Sequence, residues 1–246
     1  MRLKLIACQV LTREMKSAVS RSPHAIETEI LPLGLHELGV AMRPHLQERI
    51  DAADNDGYDA ILLGYALCGR GTEGLRAGKT PLVITRAHDC IGLLMGSRAR
   101  YMEYFEAHPG TYYRSPGWVE FQTPELFIEP AFPSPKSKIG ERRSLEELID
   151  QYGEENGKYL FEQFASFRSH YSGLTYISTG VEGEDDFRSQ AIAEAGKTGW
   201  IFDEVTGSLT LLERLVNGDW DAADFLVVPA GAVVRGTLGE SVMEAE

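Results

Sequence analysis

Short apolar runs rich in aliphatic and β-branched residues recur over the first hundred residues, at 3–7, 25–31, 58–64 and 81–85. Between them lie stretches whose apolar residues fall at helical spacing. Residues 43–53 place Leu46 and Ile50 on one face, and Thr12 and Glu14 suit the start of a helix reaching Val19. Strands alternating with helices predict a parallel sheet wrapped in helices. After the fourth run, residues 91–105 read as one longer helix, stopped by His108-Pro109-Gly110.

The texture then changes. Six of the 11 prolines, Pro109, Pro116, Pro124, Pro130, Pro133 and Pro135, lie between positions 109 and 135. Such a density excludes a regular helix or a central strand and predicts an extended crossing or lid. Its aromatic residues, Tyr112, Tyr113, Trp118, Phe121, Phe127 and Phe132, predict that it packs against the body. Ser144 with Glu147 forms a capping box for a following helix. The stripe of Tyr159, Leu160, Phe164 and Phe167 reads as core packing in preference to a cofactor box. Strand patterns resume at 174–179, 200–203 and 225–229, with helices at 186–196 and 207–217.

The expected organisation is α/β, with mainly parallel Rossmann-like sheets. An N-terminal unit (1–108), a proline- and aromatic-rich crossing (109–143), and a C-terminal pair of helices with a second α/β unit (144–246) would enclose a cleft. No register-matched repeat links the two units.

Composition narrows the function classes. The 246 residues carry 24 basic and 37 acidic side chains, a net charge of -13, and no basic tract. This balance disfavours nucleic acid and anionic lipid as partners. No apolar run reaches the roughly 20 residues of a membrane span, and the opening segment is too short for a signal-peptide core, so a cytoplasmic location is expected. The three cysteines should then remain thiols unless they bind metal or do chemistry.

Those cysteines carry the main functional signal. Cys8 follows the first predicted strand, Cys68 lies four residues past the third, and Cys90 lies just past the fourth. Loops at the carboxyl ends of parallel strands line the ligand crevice, so the three thiols are expected to converge there. Thiolates gathered from separate strands suit zinc or an iron–sulfur cluster, and three protein ligands leave a position open. The plainer alternatives are three small buried side chains or a single catalytic thiol.

His88, two residues before Cys90, is a candidate fourth ligand or general acid–base, or an ordinary loop histidine. Asp89 suits either an orienting role or the cap of the next helix. Gly69-Arg70-Gly71-Thr72-Glu73-Gly74 has GxGxxG spacing, but too few residues follow for the crossover helix of a dinucleotide fold. A glycine-rich turn beside Cys68 is the better reading, with Arg70 and Arg86 as candidates for holding an anionic group. His36 falls soon after the second strand and is a further catalytic candidate or a turn histidine. Gly96 reads as a close-packing residue. No GxSxG, GxxxxGK[ST] or HExxH motif occurs.

Taken together, Ala7-Cys8, Leu35-His36, Leu67-Cys68-Gly69, the run from Arg86 to Cys90, Gly96-Ser97-Arg98, Pro109-Gly110-Thr111-Tyr112-Tyr113 and Pro116-Gly117-Trp118 resemble an uncharacterised prokaryotic family, domain of unknown function 1638. The resemblance extends to Gly199-Trp200 and the segment from Phe225 to Pro229. It implies cytoplasmic proteins of bacteria and archaea, with a weak association with corrinoid-dependent methyl transfer. It also implies that Cys8, Cys68, Cys90, His88 and His36 belong to the family pattern, and that the segment with Tyr112 and Tyr113 belongs to the site or its lid.

The resulting expectation is a metal-dependent transferase or lyase acting on a small anionic molecule. Cys8, Cys68, Cys90 and His88 would hold zinc, or the three cysteines a [4Fe-4S] cluster. Arg70 and Arg86 would hold the substrate's charge, His88 and His36 would serve catalysis, and Tyr112 or Tyr113 would close the site. The alternative is a non-catalytic metal- or cofactor-binding accessory protein that docks on a partner enzyme, with a homo-oligomer also open.

Overall fold

The computed structural model describes residues 1–33, 35, 42–121, 145–165, 170–239 and 241–246. The chain forms a mixed α/β fold in which most strand pairs are parallel. Its principal sheet contains β1 (Arg2–Cys8), β2 (Ala25–Leu31), β3 (Ala60–Gly64), β4 (Leu82–Thr85) and β8 (Phe225–Val228), in the order β2-β1-β3-β4-β8. The first four run parallel and β8 lies antiparallel to β4. β3 and β4 are buried along their whole length, which explains why both read as unbroken apolar runs without alternation. α1 (Thr12–Arg21) and α9 (Thr210–Asn217) pack together, with α9 against β3 and β4 and α1 against β1. α2 (Met42–Ala53) buries Met42, Leu46, Ile50 and Ala53.

The order of the strands locates a ligand crevice. From β1 the chain goes outward to β2, then returns to place β3 on the other side of β1. Successive crossovers therefore diverge above the carboxyl ends of β1 and β3, the topological switch point where open α/β sheets take their ligands.

A second sheet is formed by β5 (Thr111–Arg114), β6 (Gly173–Ser178) and β7 (Ile201–Thr206), in that order and all parallel. It packs against α8 (Glu184–Thr198) around Leu174, Tyr176, Ala191 and Ala195. A short hairpin, β9 (Val234–Gly236) with β10 (Met243–Ala245), follows β8. Both sheets cross the divisions drawn at 108 and 143: β8 returns from the C-terminal end to the first sheet, and β5 from the proline-rich stretch joins the second.

Three expectations are corrected. The stretch from 109 to 121 contains regular structure, because β5 is an edge strand and Pro116 opens the short helix α5 (Pro116–Phe121), positions that tolerate prolines nearby. The expected helix at 91–105 is broken into α3 (Cys90–Met95) and α4 (Arg98–Ala107). Gly96 ends α3 in the left-handed conformation (φ 72°) and the Ser97 side chain caps α4. The break admits Ser208, whose amide bonds to the Leu94 carbonyl at 2.8 Å and whose side chain fills the space a Cβ on Gly96 would need. Finally, Tyr159 is exposed: α7 (Glu154–Ala165) packs on its neighbour α6 (Leu145–Tyr152), so this member of the stripe faces solvent. Ser144, Phe167 and the crossing beyond residue 121 lie outside the described residues.

Among the described residues, no helix is long and apolar enough to cross a membrane.

Candidate functional site

β1 ends at Cys8, which is buried, and a 3₁₀ turn (Gln9–Leu11) turns the chain into α1. β3 ends at Gly64, and Tyr65 leads into the loop that carries Cys68. β4 ends at Thr85, and Cys90 opens α3. The loops after β3 and β4 continue the pairing of their strands: the Leu67 amide bonds to the Ala87 carbonyl at 3.0 Å, and the Cys68 amide to the His88 carbonyl at 2.9 Å. Because β1, β3 and β4 are consecutive neighbours, all three cysteines lie on one edge, at the switch point.

Burial and neighbouring charge both act on these thiols. Burial raises the Cys8 thiol to about 11 and the Cys68 thiol to about 12, with Cys8 adding to the rise at Cys68. Burial also pushes the Cys90 thiol well up, followed by the effects of Cys68, Cys8 and Asp89. The thiols thus sense one another across three separate loops. Yet among the described residues no three His, Cys, Asp or Glu side chains stand close enough together to hold a metal ion. Both facts hold because electrostatic influence extends further than a bond to a metal.

Backbone strain marks the same place. Cys68 (φ 48°) and Arg70 (φ 69°) adopt the left-handed region on either side of Gly69 (φ 62°). Two non-glycine residues in this conformation cost about 1–2 kcal/mol each, and such strain tends to collect at functional sites. The Cys68 carbonyl accepts the Gly71 amide at 3.1 Å, which closes the turn.

Tyrosines and an aspartate surround the thiols. Tyr65 is 1% exposed, and its hydroxyl has no hydrogen-bond partner. Burial raises its pKa, and the three cysteines add to the rise. Asp89 caps α3 through Oδ1, which accepts the Gly92 amide at 3.0 Å, while Oδ2 accepts the Tyr101 hydroxyl at 3.2 Å. Burial nevertheless holds the Asp89 carboxyl above the usual carboxylate range. From β5, Tyr113 packs its ring edge-on against Tyr101, with centroids 6.0 Å apart, and its hydroxyl is buried without a partner. Burial and then Asp89 push the Tyr113 phenol up to about 12.

The other sequence candidates fall elsewhere. His88 is exposed and acts on Asp89. Arg70 is exposed and forms a two-pronged pair with Glu73, at 2.6 and 2.8 Å. Arg86 donates to the Phe225 carbonyl at 3.1 Å, the Ser241 carbonyl at 2.9 Å and the Met243 carbonyl, so it ties the C-terminal segment to the end of β4. Tyr112 alternates with Tyr113 along β5 and faces the other way, against Tyr171 and Trp200. His36 lies outside the described residues. Tyr65, Tyr101 and the capping arrangement of Asp89 complete the site. The position of Tyr65 at the end of a buried strand was the available signal for it.

A family model described as "Protein of unknown function (DUF1638)" matches residues 30–216, well over half of the chain. The chain belongs to this family. No curated protein and no solved structure matches it. The matched span of this DUF1638 protein contains Tyr65, Cys68, His88, Asp89, Cys90 and Tyr113, whereas Cys8 precedes it.

Proposed function

We propose that this DUF1638 protein is a metal-dependent enzyme that acts on a small anionic molecule at the switch point of its first sheet, with Cys8, Cys68 and Cys90 as the metal-holding groups. The observation that carries this reading is the placement, by three neighbouring strands, of one buried and two half-buried cysteines at a single sheet edge, where desolvation favours the protonated form of each thiol. A cation would reverse that balance by drawing out the thiol protons and stabilising the thiolates. The donor set fits a soft metal in chemistry, and binding requires the thiols to draw closer than they stand. Bound zinc, or alternatively a [4Fe-4S] cluster, would supply a Lewis acid with an open position. Asp89, anchored by Gly92 and Tyr101, would orient the Cys90 end of the site, and Tyr113 would cover it from the second sheet.

A lone-thiol mechanism finds less support. Nucleophilic cysteines have lowered pKa values, whereas burial raises all three here, and His88 is exposed. An accessory role is the second reading. Met102 and Phe105, one turn apart on α4, are exposed and apolar, as a docking face for a partner enzyme requires.

The test is metal content and turnover in the wild type and in Cys68→Ala. Metal lost together with activity supports the enzyme. Metal present with no turnover of small carboxylates or other anions favours the accessory role, and equal metal and activity in both proteins overturns the site.

A further inference from the structure

We infer that the hydroxyls of Tyr65 and Tyr113 donate hydrogen bonds to the oxygen atoms of a small carboxylate or carbonyl compound lodged against the three cysteines. This rests on the reading of the thiol cluster as a ligand site, and it names the chemistry of the ligand.

A buried phenol normally finds a partner, because an unpaired hydroxyl in a low-dielectric interior loses its hydration without replacement. Here two phenols of one cluster lack one. Tyr65 is 1% exposed and directly follows Gly64, whose partner across the β1–β3 register is Ala7, so it stands beside Cys8 at the edge that also carries Cys68 and Cys90. Tyr113 reaches the same cluster from the second sheet and stands near Asp89, which acts in turn on Cys68 and Cys90. Asp89 accepts from Gly92 and Tyr101, and no hydrogen bond joins it to Tyr113, whose hydroxyl stays unpartnered. The two sheets therefore each present an unpaired donor to the neighbourhood of the thiols.

The ligand must supply acceptors, and the surroundings restrict which. Arg70 is paired with Glu73, and Arg86 with three main-chain carbonyls, so neither guanidinium faces the cluster. Asp89 adds acidic character beside it. A phosphate carrying close to two charges would meet neither Arg70 nor Arg86, and a neighbouring carboxylate. A carboxylate or a neutral carbonyl offers one or two oxygens at far smaller electrostatic cost, and neutral phenols suit both.

The test uses full-length protein labelled with ¹³C at the tyrosine ζ-carbon and titrated with acetate, acetamide or inorganic phosphate. Wild type is compared with Tyr65→Phe, Tyr113→Phe and the control Tyr58→Phe, whose hydroxyl bonds to Glu27 on β2. Acetate or acetamide should shift the Tyr65 and Tyr113 resonances, and each phenylalanine at those two positions should weaken binding about three- to tenfold. Tyr58→Phe should leave the affinity unchanged, and phosphate should not compete. Response to acetate alone assigns a carboxylate; response to both assigns a carbonyl oxygen. Unmoved Tyr65 and Tyr113 resonances, or undiminished binding in both phenylalanine variants, overturn the inference. Should Tyr65→Phe fail to fold, the Tyr113→Phe titration and the wild-type resonances decide it. Metal content is measured on the same samples. Metal without tyrosine-dependent binding sinks this inference alone, and tyrosine-dependent binding without metal sinks the metal reading alone.

Discussion

Glu14 lies in the first turn of α1 with its side chain fully buried. Its Oε1 accepts the Thr179 hydroxyl at 2.9 Å, just past the end of β6, and its Oε2 has no hydrogen-bond partner. Burial, with a further push from the Glu184 carboxylate, raises its pKa from the ordinary 4.5 to about 7. The folded chain therefore binds this proton more tightly than the unfolded chain. Between about pH 4.5 and 7 the native state carries more protons, so the contribution of Glu14 to stability falls as pH rises and levels off above 7. At about 1.4 kcal/mol per pKa unit, the ionised group costs the fold about 3 kcal/mol by pH 8.

Glutamine in its place retains an oxygen for Thr179 and cannot ionise. Any steric or hydrogen-bonding cost of the new amide is the same at every pH, so the diagnostic quantity is the difference between the two pH profiles. Urea melts of wild type and Glu14→Gln at pH 5, 6, 7 and 8 should show the variant gaining about 3 kcal/mol relative to wild type across the range, or roughly 6–12 °C in melting temperature. Parallel profiles would refute the reasoning and show that Glu14 finds water or a partner that stabilises its charge.

Other consequences follow from single contacts. Arg86→Ala should destabilise the fold by about 2–4 kcal/mol and expose the hairpin of β9 and β10 to proteolysis, because three carbonyls lose a charged donor; an unchanged digestion pattern would contradict the tie. Gly64→Ala forces a methyl against Ala7 and Met15 between β1 and α1, with an expected cost of about 1–3 kcal/mol by thermal melting; a neutral effect would show that this seam has room to relax. In metal-free native protein at pH 7, all three thiols should react with iodoacetamide far more slowly than in denaturant, since burial holds them protonated. One rapidly alkylated cysteine would revive the lone-nucleophile reading.

Much of the fold was legible because strands of the first sheet end near clear breaks in the apolar pattern and its central strands β3 and β4 are buried throughout. The run at 25–31 reappears as β2 with the same bounds, that at 81–85 differs from β4 by one residue at its start, and that at 3–7 is one residue shorter than β1 at each end. Apolar continuity in β3 and β4 is a direct consequence of that burial. The partner of β8 was not legible, because pairing with β4 across the 139 residues between Thr85 and Phe225 leaves no local pattern. Proline density concealed β5, since an edge strand needs only part of its backbone hydrogen bonds. The end of α3 was announced by Gly96-Ser97, but a glycine inside an apolar stripe also suits a continuous helix, and Ser208 on the far segment decides the matter.

The site divides along the same line. Cysteines at strand ends can be placed from sequence, because strand polarity fixes which edge they occupy. The pairing of Arg70 with Glu73 and of Arg86 with main-chain carbonyls is three-dimensional, and no local pattern announces the Arg86 contacts. Tyr65 follows the run at 58–64 and was not singled out. What sets it apart is an unpartnered hydroxyl, a property no sequence pattern reports.

The central claim is that the three thiols at the sheet edge form a metal site, and the most direct measurement is elemental analysis with an absorption spectrum on protein purified without oxygen. Wild type is set beside Cys8→Ala, Cys68→Ala and Cys90→Ala, with folding checked by circular dichroism. The account predicts about one zinc per chain and no colour, or iron, sulfide and a brown chromophore, lost or sharply reduced in each variant. Metal-free wild type after anaerobic purification and incubation with zinc or with iron and sulfide, alongside normally folded variants, would contradict it.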